Sequence, residues 1–353
     1  MPRAEREGYD HWLGSNILEF TSDAYRTVLY DNDDRPVRLP GYRSDALTDA
    51  AIRFITDSVA DDQPFFCFLN HVEPHHQNEL DEYTAPDVYR DAYHGAWLPP
   101  DLQALPGSQH RHISGYYGQI RRLDEGLGRL RDALVSLDVA DDTVLIYLSD
   151  HGSHFKTRNA EYKRSAHDSS IRVPLVLDGP GYRGGGRVTR PVNTIDLVPT
   201  VLDAAGIELP DHLDGRPLRE RNHGADTKDG DDPGVLVQIS ETEVGRVLRT
   251  ARWKYHVRAE GIDDGPAADH YTEVELYDLH VDPYELDNLI DCHNHGEVTA
   301  SLREQLITAI HRVEGADVTI AEHHPQRHRL RFPRTTVRQL DLTGRLGEWS
   351  DQS

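Results

Sequence analysis

The chain has 353 residues, a formal net charge of −23 and a pI of about 5.2. This length can hold one large domain and a smaller one, and the strong negative charge argues against binding to nucleic acid or to an anionic membrane. The apolar runs are too short to cross a bilayer, and the two cysteines cannot build a disulfide framework.

The hydrophobic pattern predicts alternating helices and strands over residues 1–222. A helix is expected from about Asp45 to Val59 with Ser44 as its cap, followed by a buried strand in PFFCFLN (64–70). Apolar side chains at helical spacing predict a long helix over 113–137. Strands are then expected in TVLIYLS and RVPLVLDGP, and a helix in DLVPTVLDAAG that ends at Gly206. This order predicts an α/β domain with a mostly parallel sheet flanked by helices.

The pattern changes after about residue 222, where a polar, glycine-rich stretch predicts a linker. The short apolar runs VLVQIS, GRVLRT, WKYHV and VELYDL have no helices between them, and a helical pattern follows over 298–313. Residues 223–316 are therefore expected to form a small antiparallel sheet plus a helix. Residues 317–353 form a basic tail, for which docking onto the acidic body or disorder is favoured over a nucleic-acid-binding arm.

Polar residues follow two of the predicted strands. Asp150-His151-Gly152 comes directly after the strand in TVLIYLS, and the histidine-rich loop NHVEPHHQN follows the strand in PFFCFLN. Sites in open α/β sheets lie outside the carboxyl ends of strands, and a carboxylate beside an imidazole is a metal-ligand pair. An Asp that caps the next helix beside a merely polar His would explain the dipeptide equally well. Two such loops at neighbouring strand ends favour a site.

Lys163 and His167 lie between Asp150-His151 and the next predicted strand. A metal, a Lys and a His are what an enzyme acting on a tetrahedral oxyanion needs. The cations offset charge on the non-bridging oxygens, and a His can protonate the leaving oxygen. The alternative for Lys163 and Arg164 is a solvated loop, the usual place for adjacent basic residues.

Six segments, in order, resemble sulfatases of the alkaline phosphatase superfamily over roughly residues 8–315. They are GYDHWLG, GYRSDALTDAAIRFI, PFFCFLNHVEPHHQN, LIYLSDHG, KRSAHDSSIRVPLVLDGPG, and VLRTARWKYHV with ELYDLHVDPYELDNL. Each segment alone is weakly specific, whereas six in the family's order form a strong match. The resemblance implies an alkaline-phosphatase-like fold and metal-dependent hydrolysis of sulfate esters of a small molecule or carbohydrate, with no nucleic-acid or membrane partner.

The resemblance also implies roles for individual residues. Asp150 and His151 would ligate a divalent metal, His75 would face the bridging oxygen of the ester, and Lys163 would hold a sulfate oxygen. His167, four residues after Lys163, is expected to contact substrate in the same pocket. The metal in sulfatases is usually Ca²⁺, but Ca²⁺ prefers oxygen ligands and phosphatase relatives carry an Asp-His pair on Zn²⁺, so Zn²⁺ and Mn²⁺ stay open.

The sequence departs from the family at the nucleophile. The motifs C-x-P-S-R and S-x-P-S-R, which sulfatases convert to formylglycine, do not occur, and the Asp-Asp pair of the family's first strand is not found. The expectation is a sulfatase without its N-terminal part, inactive or impaired by itself. Three interpretations follow: a start codon placed too late, a phosphonate or phosphate ester hydrolase, or a truncated non-catalytic binding protein. As it stands the chain would be cytoplasmic, while a leader in a missing segment would make it periplasmic or secreted.

Overall fold

A computed structural model describes residues 5–6, 8–15, 23–76, 81–219, 234–261, 264–323, 339–340 and 346–347. The predicted linker and most of the predicted basic tail lie outside these residues, and the predicted domain boundaries stay predictions. In the ranges described, no helix combines the length and apolar character that crossing a membrane requires.

The N-terminal part holds a hairpin and four helices. Strands β1 (Val28–Tyr30) and β2 (Pro36–Arg38) pair antiparallel, and the helices are α1 (Arg43–Ala60), α2 (Asp87–Ala92), α3 (Pro100–Ala104) and α4 (Gln109–Ser136). The predicted helices near 45–59 and 113–137 are thus confirmed. The predicted cap is wrong, because α1 begins one residue before Ser44 and Tyr42 occupies the N-cap without a side-chain hydrogen bond.

Helix α4 packs along α1, and side chains of the two helices contact each other. At Gly126 an added Cβ would stand 3.0 Å from the Thr48 hydroxyl oxygen, so glycine allows the close approach of the helices. Arg122 on α4 reaches back to Asp45 on α1, with 2.6 Å between a guanidinium nitrogen and a carboxylate oxygen. Of the apolar stripe that predicted α4, Ile113, Leu123 and Leu134 are buried, and Ile113 packs with Tyr83, Leu102, Phe155 and Tyr162.

Strands β3 (Leu145–Leu148) and β4 (Leu175–Asp178) confirm the predicted strands in TVLIYLS and RVPLVLDGP. Their pairing is antiparallel, with Leu145 opposite Asp178, which corrects the expected parallel arrangement of this pair. A parallel pair needs a crossover that returns the chain to the opposite end of the sheet. Here residues 149–174 contain only the four-residue helix α5 (Asp168–Ile171) and turn back at the same end.

The predicted buried strand over 64–70 is wrong. These residues are assigned to no strand and have no sheet partner within the described ranges. Their side chains alternate instead: Phe66 and Phe68 are 56% and 66% exposed, while Cys67 and Leu69 are half-buried. A continuous apolar run predicts burial on both faces only if another layer covers the second face. In the described part of the chain this face is uncovered.

Helix α6 (Leu197–Ala204) confirms the predicted helix before Gly206. A short 3₁₀ turn, Thr194–Asp196, leads into it, and Asn193 and Asp196 cap that turn reciprocally. Gly206 follows the helix with a φ of +68°, the left-handed conformation expected there.

The C-terminal part is a five-stranded sheet covered by one helix. The strands are β5 (Val235–Ile239), β6 (Gly245–Arg249), β7 (Trp253–Arg258), β8 (His270–Asp278) and β9 (Thr319–Ala321), in that spatial order. The first four are antiparallel, and β9, which the sequence did not predict, lies parallel to β8. Helix α7 (Gly296–Glu314) packs Leu302, Leu306 and Ile310 into the sheet's core. The predicted C-terminal sheet and helix are confirmed. Two further segments, Gln339–Leu340 and Leu346–Gly347, form a short antiparallel pair.

Candidate functional site

Three side chains predicted from the sequence meet at one point. The Lys163 Nζ lies 2.9 Å from His151 Nε2 and 3.3 Å from His75 Nε2. His151 comes from the carboxyl end of β3, His75 from the loop after residue 70, and Lys163 from the segment between β3 and β4. An ammonium group donates and never accepts, so both imidazole nitrogens serve as acceptors for Lys163.

The backbone fixes the protonation of His151. Its Nδ1 lies 2.9 Å from the carbonyl oxygen of Gly152, which can only accept, so Nδ1 carries the proton and Nε2 keeps its lone pair. Burial, together with the positive charge of Lys163, lowers the pKa of His151, although the Gly152 contact and Asp150 oppose the shift. A neutral imidazole with an unprotonated Nε2 and its other nitrogen bonded to a carbonyl is the form that ligates metals.

Asp150 lies beside this imidazole at the mouth of β3. One carboxylate oxygen accepts the backbone N–H of His151 at 2.9 Å, and the other lies 3.3 Å from His151 Nε2. The Asp150 side chain is 82% exposed and hence open to a ligand. The carboxylate oxygen and the imidazole nitrogen thus face a common point, and this pair fits a divalent cation in its donor chemistry.

Two ligands alone do not complete a metal site. Among the described residues, no group of three or more His, Cys, Asp or Glu side chains converges in a way that could hold a metal ion. Calcium takes six to eight oxygen ligands and zinc usually takes four ligands. Asp150 and His151 can therefore supply only part of a coordination sphere.

Two residues on either side of His75 in its loop, Glu73 and His76, are both held by contacts with other segments. Glu73 makes a buried ion pair with Arg43 on α1, with a 2.8 Å contact. His76 is buried against the ring of Tyr162, the residue before Lys163. Burial, followed by the nearby His75, lowers the pKa of His76 to about 3, so His76 stays neutral and serves as packing. These contacts fix His75 and Lys163 relative to each other.

The structure does not bring His167 to this group. Its ring nitrogens lie 3.3 Å from the Ser165 hydroxyl and 3.4 Å from the Tyr277 hydroxyl, and its Nε2 lies 3.5 Å from a Glu275 carboxylate oxygen. His167 is buried against β8, and burial lowers its pKa to about 3. These contacts hold the segment onto the C-terminal sheet, and His167 as a substrate contact stays a prediction without support from this geometry.

Sequence reasoning missed the groups that support Lys163. Tyr162 is buried with Tyr83 and Phe155 in a small aromatic cluster. Arg158 donates to the backbone carbonyls of Tyr284 and Glu285. The segment ELYDLHVDPYELDNL pointed to this region only as a family signature, and nothing in its spacing indicated a contact with residue 158.

Two family models match the chain. One, described as Sulfatase, covers residues 2–207, and the other, described as N-sulphoglucosamine sulphohydrolase, C-terminal, covers residues 160–312. The first model spans more than half of the 353 residues.

Curated relatives agree with these models. An ulvan-active sulfatase from Formosa agariphila is 28% identical over 303 residues, which is 82% of this chain and 56% of the relative. Human arylsulfatase K is 34% identical over 203 residues, 55% of this chain and 36% of that protein. Choline-sulfatase from Rhizobium meliloti is 27% identical over 350 residues, 80% of this chain and 64% of the relative. The chain thus spans less than two thirds of the length of each of these relatives.

Solved structures support the fold. A Bacteroides thetaiotaomicron protein from a locus for the metabolism of glycosaminoglycans superposes with a TM-score of 0.72 at 18% identity, over 89% of this chain and 67% of that one. The phosphonate monoester hydrolase of Agrobacterium radiobacter superposes with a TM-score of 0.59 at 23% identity, over 78% and 62%. At such identities the likeness concerns the fold alone. It confirms the predicted α/β, alkaline-phosphatase-like fold class.

Proposed function

The chain belongs to the sulfatase family of the alkaline phosphatase superfamily, and on that premise we propose that it serves the hydrolysis of sulfate esters through Asp150, His151, His75 and Lys163. The observation that carries the proposal is the position of Lys163, whose Nζ lies within 3.3 Å of imidazole nitrogens from two separate loops. His75 and His151 lie 88 and 12 positions away from Lys163 in the sequence, yet both meet it in the structure. A solvated loop lysine would have no such partners.

Lys163 is the group that holds the sulfate. Its ammonium is half-buried, and a sulfate oxygen placed there meets a positive charge whose surroundings screen it less than bulk water does. As negative charge builds on the sulfate and leaving oxygens, such a fixed cation stabilises the transition state more than the ground state.

His75 is the proton donor to the leaving group. Its Nε2 accepts from Lys163 in the present arrangement, at 3.3 Å. When a sulfate oxygen takes the N–H groups of Lys163, this nitrogen becomes available to carry a proton toward the bridging oxygen. An imidazole can give that proton near neutral pH because its ordinary pKa lies close to 7.

Asp150 and His151 hold the divalent cation. The exposed carboxylate and the unprotonated Nε2 of the neutral imidazole, which accepts from Lys163 in the present arrangement, support this role, and the mixed oxygen and nitrogen donors suit Ca²⁺, Zn²⁺ or Mn²⁺. When bound, the cation would offset negative charge on the sulfate group. Its remaining ligands come from outside the pair.

The attacking group is not among the residues of this proposal. Neither C-x-P-S-R nor S-x-P-S-R, the motifs that sulfatases convert to formylglycine, occurs among the 353 residues. This chain therefore supplies the sulfate-binding lysine, the leaving-group histidine and part of the metal site.

The substrate class is a sulfated carbohydrate or a sulfated small molecule. Support comes from relatives whose names refer to ulvan and to choline, and from a structural neighbour in complex with D-glucosamine-2-N,6-O-disulfate. The half-exposed group around Asp150, open at the mouth of β3, suits a ligand that presents its sulfate from solvent.

The test is sulfate release by this chain co-expressed with the formylglycine-bearing fragment of a sulfatase relative, after co-purification shows that the two associate. We expect sulfate from ulvan fragments or from 4-nitrophenyl sulfate with the wild type, and none above background with Lys163→Ala. A complex that leaves both sulfate esters intact would refute the proposal. If that complex left the sulfate esters intact but cleaved a phosphonate monoester, phosphonate ester hydrolysis, the second candidate suggested by the Agrobacterium neighbour, would replace sulfate ester hydrolysis.

A further inference from the structure

We propose that Glu285, together with the turn that carries it, holds Lys163 in place. It does so by binding both ends of the segment Arg158–Asp168, in which Lys163 lies, and linking them to the C-terminal sheet. The value of this clamp for catalysis rests on the role of Lys163 proposed above, but the clamp itself is a matter of geometry. Glu285 is therefore a positioning residue, which acts through the segment and not on the substrate.

The first grip is at Arg158. Its two terminal guanidinium nitrogens donate to the carbonyl oxygens of Tyr284 and Glu285, each at 2.8 Å. A planar guanidinium bound to two successive carbonyls has its direction fixed as well as its position. One end of the segment is thereby held to the turn.

The second grip is at Asp168. One Glu285 carboxylate oxygen accepts the backbone N–H of Asp168 at 2.7 Å, and the other pairs with the ammonium of Lys254 on β7. The same ammonium lies 2.5 Å from the Asp168 carboxylate, which also meets Arg249 on β6 at 3.2 Å. Two carboxylates and two cations thus form one cluster, with Glu285 linked to the segment both directly and through Lys254.

The cluster is shielded from water. The side chains of Lys254, Glu285 and Asp168 are 0%, 2% and 12% exposed. Charges buried to this extent are held in place by their partners, because leaving one unpaired is strongly unfavourable. Breaking any one of these pairs would leave a buried charge without its partner, which makes the cluster a suitable anchor.

The turn that presents Glu285 is itself constrained. The Asp282 carboxylate accepts the backbone N–H groups of Leu286 and Asp287 at 2.7 and 2.8 Å. Glu285 adopts a φ of +56°, in the left-handed region that non-glycine residues seldom occupy. This conformation directs the carbonyl and carboxylate of one residue at two ends of another segment.

Lys163 lies midway in the gripped segment, five residues from Arg158 and five from Asp168. The segment is braced internally: the Asn159 side chain donates to the carbonyl of Arg164 at 2.6 Å, and the backbone N–H of Ser165 donates to the carbonyl of Lys163 at 3.0 Å. A displacement at the ends is thus carried to the middle. Releasing the ends should let Lys163 leave His75 and His151.

The composition offers a direct readout, because the chain has only four lysines: Lys156, Lys163, Lys228 and Lys254. Amine acylation followed by mass spectrometry can therefore report on Lys163 by itself. The variants are Glu285→Ala, which removes the carboxylate grip, and Arg158→Met, which removes the other grip and leaves the buried charges paired. The control is Glu314→Ala, which breaks an ion pair with the fully buried Arg246 without touching the segment.

We expect Lys163 to be acylated about tenfold faster in Glu285→Ala and in Arg158→Met, because the segment opens locally more often when one of its ends is no longer bound. Glu314→Ala should lower the melting temperature and leave the Lys163 rate unchanged. The proposal is overturned if Lys163 reacts at the wild-type rate in folded Arg158→Met, or if Glu314→Ala accelerates it equally. No turnover enters this readout, so a failure of sulfate hydrolysis would leave it intact.

Discussion

A buried histidine on β7 makes the stability of the protein depend on pH. His256 lies between two carboxylates: its Nε2 is 3.0 Å from a Glu243 oxygen and its Nδ1 is 3.1 Å from a Glu275 oxygen. Burial opposes the imidazolium, but the two acidic side chains prevail and raise the pKa of His256 to about 9. Arg258 and His167 also face these carboxylates, at 3.6 and 3.5 Å.

The direction and the size of this pH effect on stability follow from the linkage between proton binding and folding. A folded-state pKa of about 9 against the ordinary 6.5 means that the native protein holds this proton more tightly than the unfolded chain does. The difference corresponds to about 3 kcal/mol in the free energy of unfolding, fully present below pH 6.5 and lost as the pH rises to 9.

The perturbation is His256→Gln, which keeps a polar side chain of similar size and removes the charge. Urea unfolding followed by tryptophan fluorescence should show the variant less stable than the wild type by about 3 kcal/mol at pH 6, with most of that gap closed at pH 9.5. His280→Gln, at an exposed position, serves as the control and should show no such dependence. An equal gap at both pH values would refute the reasoning.

Three further predictions concern the site and the exposed strand-like segment. In the enzyme complemented with the formylglycine-bearing fragment, Asp150→Ala should lower the content of bound Ca²⁺, Zn²⁺ or Mn²⁺, because the site loses the carboxylate ligand that this chain supplies, and metal analysis showing wild-type content would contradict the assignment. In the complemented enzyme, Lys163→Ala should lower turnover by about 10²- to 10³-fold, the cost of losing one preorganised donor, and a change below about threefold would contradict that role. Phe68→Glu should raise the solubility of the chain, because Phe68 is 66% exposed in a segment with no sheet partner among the described residues, and light scattering unchanged from the wild type would count against this.

The sequence predicts elements better than it predicts their pairing. Helix α4 was recognisable because its apolar side chains repeat at helical spacing, and Ile113, Leu123 and Leu134 of that stripe are buried. The antiparallel pairing of β3 with β4 could not be predicted from the sequence, because an apolar strand has the same pattern whether its neighbours are parallel or antiparallel. Residues 64–70 show the same limit, since an apolar run does not reveal whether a second layer is present to cover it.

The candidate site divides in the same way. Asp150, His151 and Lys163 could be named from their place after a predicted strand, and His75 from the family resemblance. His75, His151 and Lys163 meet in the structure. Glu285 could not, because its contacts with Arg158 and Asp168 span 127 and 117 residues and leave no local pattern. His167 was placed near Lys163 because the two are close in sequence, whereas its burial against Tyr277 depends on the C-terminal sheet.

The central claim, that Lys163 belongs to a sulfate-binding group completed by a divalent cation at Asp150 and His151, is tested most directly by acylation of the lysines in the presence of inorganic sulfate and CaCl₂. Sulfate with Ca²⁺ should slow acylation of Lys163 several-fold and leave Lys156 unaffected, and Asp150→Asn should remove the contribution of Ca²⁺. A Lys163 rate that does not respond to saturating sulfate and Ca²⁺, in the folded chain complemented with the formylglycine-bearing fragment, would contradict the account.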